Sequence, residues 1–149
     1  MTDYQLLTEQ LKAISEGVHS EVTLLANASA LLYMTLPDIN WAGFYLKEGE
    51  ALLLGPFQGK PACTRIPEGR GVCGACASEK RTQRVADVHS FSGHIACDSA
   101  SNAEIVVPLF QRGELYGVMD IDSPLKDRFS EEDQKGLEGF AKALEELLL

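Results

Sequence analysis

The stretch Glu104-Ile105-Val106-Val107-Pro108-Leu109-Phe110-Gln111-Arg112-Gly113-Glu114-Leu115-Tyr116-Gly117-Val118-Met119-Asp120-Ile121-Asp122 decides the fold class. β-Branched and aromatic residues fill both halves, and Arg112-Gly113-Glu114 interrupts them. The pattern predicts strands over 104–111 and 115–121 joined by a tight turn, hence an antiparallel pair. Upstream, Asn40 to Lys47 and Ala51 to Phe57 read as a second hairpin through Glu48-Gly49-Glu50. Arg84 to Val88 reads as one more short strand.

Helices bracket these strands. Thr2-x-x-Gln5 has the form of a capping box and opens the series Leu7, Leu11 and Ile14, with Gly17 as the stop. A second helix is expected from Ser20 to Thr35, with Leu24, Leu25, Ala28, Leu31 and Leu32 on one face and Pro37 ending it. Gly69 to Lys80 reads as a short glycine-led helix. At the C-terminus, Ser130 caps a helix with Asp133 three residues on, and Leu137, Phe140, Leu144 and Leu147 repeat at helical spacing. Two helices, antiparallel strands and a final helix predict an α+β fold, a central sheet flanked by N- and C-terminal helices.

The 149 residues match the length of one domain, 1–149, without repeats or a linker. No segment is then expected for a separate output domain, which favours turnover over sensing. A net charge of −9 argues against nucleic-acid and anionic-membrane partners, since both attract clustered Lys and Arg. No apolar run approaches the ~20 residues of a membrane span. Met1-Thr2-Asp3-Tyr4 lacks the basic start of a signal peptide, so a cytoplasmic location is expected.

In a reducing compartment, Cys63, Cys73, Cys76 and Cys97 are expected to be catalytic, redox-active or metal-binding rather than structural disulfides. Cys97 lies in the long loop Asp87–Ala103, among small polar residues that favour exposed backbone rather than packing. Cys73-Gly74-Ala75-Cys76 has redox Cys-x-x-Cys spacing. Intervals of ten, three and twenty-one residues do not make two Cys-x-x-Cys arms, so no metal is expected. His89 and His94 read as surface loop residues.

Strand alternation sorts the remaining candidates. Trp41, Gly43 and Tyr45 share one face, and Ala42, Phe44 and Leu46 the other. Val118, Asp120 and Asp122 share a face, with Met119 and Ile121 opposite. One face of the sheet therefore gathers Trp41, Tyr45, Glu104, Asp120 and Asp122. Three close carboxylates bind a cation or share a proton. Beside aromatics, they suit a small zwitterion with an apolar tail. Alternation equally allows the two aspartates to lie on a solvated outer face.

These residues resemble the GAF-domain free methionine-(R)-sulfoxide reductases. The likeness runs along most of the chain. It is densest over Trp41-Ala42-Gly43-Phe44-Tyr45, Gly69-Arg70-Gly71-Val72-Cys73-Gly74, Asp87-Val88, Gly93-His94-Ile95-Ala96-Cys97-Asp98-Ser99-Ala100-Ser101-Asn102-Ala103-Glu104-Ile105-Val106-Val107-Pro108 and Gly117-Val118-Met119-Asp120-Ile121-Asp122-Ser123. Cys63, Cys73 and Cys97 stand at the family's cysteine positions, whereas Cys76 falls outside that triplet.

The resemblance implies a GAF-like fold and reduction of free L-methionine (R)-S-oxide. By it Cys97 is the nucleophile, Cys63 its resolving partner and Cys73 a secondary recycling thiol. Trp41, Tyr45, Glu104, Asp120 and Asp122 form the ligand pocket, with one acid supplying the proton. Thioredoxin is the implied reductant, no organic cofactor is expected, and pairing through terminal helices into a homodimer is implied. A non-catalytic small-molecule-binding GAF domain would use the same pocket without Cys97 and Cys63. A redox-sensing module would use Cys73 and Cys76 instead.

Overall fold

Arg112 and Gly113 both adopt left-handed backbone, with φ of 54° and 78°, and turn the chain between paired Gln111 and Glu114. Such a two-residue turn matches the right-handed twist of antiparallel strands. The strands it joins are β5, Ala103–Gln111, and β6, Glu114–Ser123. The computed structural model describes residues 1–93 and 100–149. Its other strands are β1 (Trp41–Glu48), β2 (Ala51–Gly59), β3 (Arg65–Pro67) and β4 (Gln83–Val85). All pair antiparallel in one six-stranded sheet ordered β3-β2-β1-β6-β5-β4.

The helices divide unequally over the two faces. Helices α1 (Tyr4–Ile14), α2 (Glu21–Thr35) and α4 (Glu131–Leu147) enclose one core. Leu7, Leu11, Leu25, Leu32, Phe140 and Leu144 pack there against Ala42, Phe44, Ile105, Met119 and Ile121. Each large side chain so removed from water contributes about 1.5–3 kcal/mol, which makes this face the main source of stability. Among the described residues, the opposite face carries one α-helix, α3, Gly71–Glu79. It covers Val106 and Val118 with Val72, Cys73, Cys76 and Ala77. A face with one short helix has room for a ligand cavity at that helix's edge.

Local chemistry sets the helix ends. Ser130 and Asp133 form the reciprocal capping box expected of them, satisfying two amide donors of α4. Ser20 caps α2 by accepting from the Thr23 amide. The first helix differs from the sequence expectation, because Asp3 rather than Thr2 is its N-cap and accepts from the Leu6 amide. A short carboxylate at the residue just before the helix reaches that donor directly, so the Thr2-Gln5 pattern goes unused. Ile14 is 45% exposed and does not extend the buried Leu7–Leu11 stripe.

Three strand assignments also shift. The strand expected over Arg84–Val88 is only Gln83–Val85, because Val88 begins a 3-10 turn, Val88–Ser90, capped by Asp87. Ala103 belongs to β5, not to the preceding loop. Strand β3 escaped the sequence reading: its burial pattern, one inward Ile66 between exposed Arg65 and Pro67, is too short to show periodicity. No helix among the described residues is long and apolar enough to cross a membrane.

Candidate functional site

Register brings the acids together. Asp122 on β6 lies opposite Glu104 on β5 and opposite Trp41 on β1, so the three form one row across adjacent strands. In the next row Asp120 lies between Val106 and Gly43. Directly opposed side chains on one face of an antiparallel sheet stand about 5 Å apart at Cβ, within reach of a shared ligand. Trp41, Tyr45, Glu104, Asp120 and Asp122 all line one cavity of about 550 Å³, counting its open mouth.

The aromatic wall is stacked and anchored. The Trp41 ring lies 5.9 Å from Tyr45 and 5.1 Å from Phe57, nearly parallel to both. Trp41 Nε1 donates to the Lys60 carbonyl at 3.1 Å. The Tyr45 hydroxyl donates to the Cys63 carbonyl at 2.9 Å. These two bonds hold the β2–β3 connection, with Cys63, against the site. Gly43 makes the stack possible: a Cβ there would meet Phe57 and would stand 2.9 Å from the Trp41 ring.

Helix α3 closes the inner wall. Cys73 Sγ donates to Glu104 Oε2 at 3.8 Å, and Cys76 Sγ donates to the Val106 carbonyl at 3.6 Å. The cysteines are three apart on the helix and their acceptors two apart on β5, so the thiols track the strand. Gly74 between them allows the close fit, since a Cβ there would come within 2.8 Å of the Pro67 carbonyl. The Cys-x-x-Cys spacing thus has a packing reason. Cys73 and Cys76 are free thiols, whereas Cys63 is disulfide-bonded. Cys97 and His94 lie outside the described residues. His89 sits on the exposed surface, its Nε2 3.2 Å from Asn102 Oδ1.

The electrostatics follow from burial. Asp120 is 5% exposed and Asp122 is half-buried, so the two aspartates do not stand on a solvated outer face, and Glu104 beside them is 9% exposed. Burial pushes the Glu104 carboxyl well above the usual carboxylate range, and the Asp120 charge adds to it. Burial likewise raises Asp120, with Asp122 as the neighbouring charge. Acids so placed retain a proton that solvated ones would lose. Burial and then the Asp120 charge raise both Cys73 and Cys76. Neither is a thiolate at neutral pH, so neither is a ready nucleophile.

Among the polar residues lining this cavity, the sequence reading did not assign Lys60, Arg70 and Ser101 to the site. Lys60 and Arg70 are exposed; Gly59 precedes Lys60, and Arg70 stands in the Gly69–Gly74 stretch that carries the family likeness. Asn40 Nδ2 donates to Ser101 Oγ at 3.2 Å, tying that wall to the start of β1. Cys73, Glu104 and Asp120 also offer three potential metal-ligand atoms within 4.8 Å of one another.

Known proteins match the chain along nearly its whole length. The GAF domain model matches residues 7–148. The free methionine-R-sulfoxide reductase of Escherichia coli is 54% identical over 97% of this chain and 88% of its own length. The fRMsr of Staphylococcus aureus, in a complex with substrate, superposes with a TM-score of 0.95 at 52% identity, covering 100% of this chain and 97% of that one. The free methionine-R-sulfoxide reductase of Neisseria meningitidis, also with its substrate, has a TM-score of 0.94 at 42% identity, covering 97% and 87%. The chain therefore belongs to the GAF-domain family, among the free methionine-R-sulfoxide reductases.

Proposed function

We propose that this chain reduces free L-methionine (R)-S-oxide to methionine, with Cys97 as nucleophile and Cys63 as resolving thiol. One observation carries the substrate reading: a stacked Trp41–Tyr45 wall stands in the same cavity as Glu104, Asp120 and Asp122. The aromatics take the methyl-sulfur end, and the carboxylates take the α-ammonium. Lys60 and Arg70 at the mouth supply positive charge for the α-carboxylate. Substrate complexes of the Staphylococcus and Neisseria relatives support a ligand of this class.

The thiolate of Cys97 attacks the sulfoxide sulfur. A proton from the Glu104, Asp120 and Asp122 group goes to the departing oxygen. Oxygen passes to the cysteine sulfur, methionine leaves and Cys97 becomes a sulfenic acid. The Cys63 thiol displaces that hydroxyl as water and forms a disulfide. A thioredoxin dithiol then returns both thiols by exchange and becomes the oxidised partner. The free, protonated state of Cys73 and Cys76 supports this division of labour, as does the disulfide-bonded state of Cys63. Residues 1–149 act as a single cytoplasmic GAF domain, paired as a homodimer.

The test uses separate R and S epimers of free methionine sulfoxide, with thioredoxin recycling and chiral product analysis. Only the R epimer should yield methionine. N-Acetyl-methionine sulfoxide should be far poorer, by up to roughly 10⁴, because it lacks the ammonium donors that the buried acid group would accept. Equal use of both epimers refutes the stereochemical assignment, and equal use of the acetylated compound refutes the ammonium site.

A further inference from the structure

The inner wall of the cavity has a second chemistry that sulfoxide reduction does not use. Cys73 Sγ, a Glu104 oxygen and an Asp120 oxygen lie within 4.8 Å of one another, on α3, β5 and β6. The Cys73 Sγ–Glu104 Oε2 separation is 3.8 Å. Tetrahedral zinc, with Zn–S near 2.3 Å and Zn–O near 2.0 Å, sets its sulfur and oxygen ligands about 3.5 Å apart. That one separation is within a few tenths of an ångström of ligation, and the Asp120 oxygen, within 4.8 Å of both other atoms, is in reach of the same ion. Among the described residues, Asp120 Oδ1 accepts no hydrogen bond although Asp120 is only 5% exposed. The neighbours of this carboxyl group are the Glu104 and Asp122 carboxyls and the Cys73 thiol, all of them groups that a cation can bridge.

We propose that Cys73, Glu104 and Asp120 form an inhibitory zinc site that excludes substrate from the pocket. The donor set selects the ion. A thiolate with two carboxylates suits Zn²⁺, while Mg²⁺ and Ca²⁺ take oxygen ligands only. Binding displaces the thiol proton and any carboxyl proton into solvent, and the dication offsets the negative charge gathered there. No redox change is involved. The ion occupies the carboxylates assigned to the substrate ammonium, so metal and substrate bind in competition. The metal site stands without the reductase reading, whereas its inhibitory effect rests on that reading.

The experiment titrates the full chain with Co²⁺ as a spectroscopic stand-in, then displaces it with Zn²⁺. It is run on both the fully reduced chain and the chain with its Cys63 disulfide. The expected result is one Co²⁺ per chain with a thiolate-to-cobalt charge-transfer band in both redox states. Cys73→Ala should abolish the band, Asp120→Asn should weaken binding at least tenfold, and Cys76→Ala should leave the band intact. A band that survives in folded Cys73→Ala, or appears only after the Cys63 disulfide is reduced, overturns the assignment, as does the absence of any band. Free methionine sulfoxide should raise the apparent Kd for Zn²⁺ in proportion to its concentration. An intact cobalt band that methionine sulfoxide does not affect overturns the inhibitory effect while leaving the metal site standing.

Discussion

The Tyr45 hydroxyl donates to the Cys63 carbonyl oxygen at 2.9 Å, tying the segment that carries this cysteine to the centre of the sheet. Tyr45 is 2% exposed. Burial, then the Asp120 charge, raises its hydroxyl far above the ordinary range, so it remains a donor across physiological pH. Tyr45→Phe keeps the ring stack and removes only this bond. The loss should lower stability by about 1 kcal/mol. It should also slow disulfide formation while single-turnover methionine release stays near wild type. Rapid-quench measurement of both steps checks this, and equal slowing of both would place the hydroxyl in the chemical step instead.

Cys97→Ser should abolish methionine release even in one turnover, because a hydroxyl is a far weaker nucleophile at sulfur. Cys63→Ser should still release about one methionine per chain and then stall with thioredoxin. Cys73→Ser should retain single-turnover release, since its buried thiol is protonated at neutral pH. Product counts from stoichiometric reactions distinguish the three variants.

Asp120 and Glu104 hold protons in the folded chain at pH values where the unfolded groups, at 3.8 and 4.5, have released them. The folded state therefore binds more protons, and this contribution to stability falls as pH rises above about 4. Asp120→Asn removes one such group. Its stability relative to wild type should increase steadily from pH 4 to neutrality, while its turnover falls. Urea midpoints across that range are the readout, and a pH-independent difference contradicts the buried, protonated state.

Gly43→Ala places a methyl group against Phe57 and the Trp41 ring. Overpacking of this kind costs about 1–3 kcal/mol. Because the displaced ring is a wall of the cavity, KM for methionine sulfoxide should rise more than kcat falls. Steady-state kinetics with a thermal melt separate this from simple unfolding.

The strands of both hairpins, the buried stripe of α2 and the capping of α4 were legible because alternation, spacing and Ser130-x-x-Asp133 are local signals. So was the sharing of one face by Trp41, Tyr45, Asp120 and Asp122, which follows from a period of two. Local signals failed at Asp3, where one carboxylate displaced the expected cap, and at β3, whose three residues hold no period. Only the tertiary structure set the register that aligns Trp41, Asp122 and Glu104 in one row. It also laid Cys73 against Glu104 and buried Asp120 enough to hold a proton. Those outcomes depend on which strands become neighbours and which helix covers them. Residues far apart in the chain decide that, through pairing and burial that neither contributes alone.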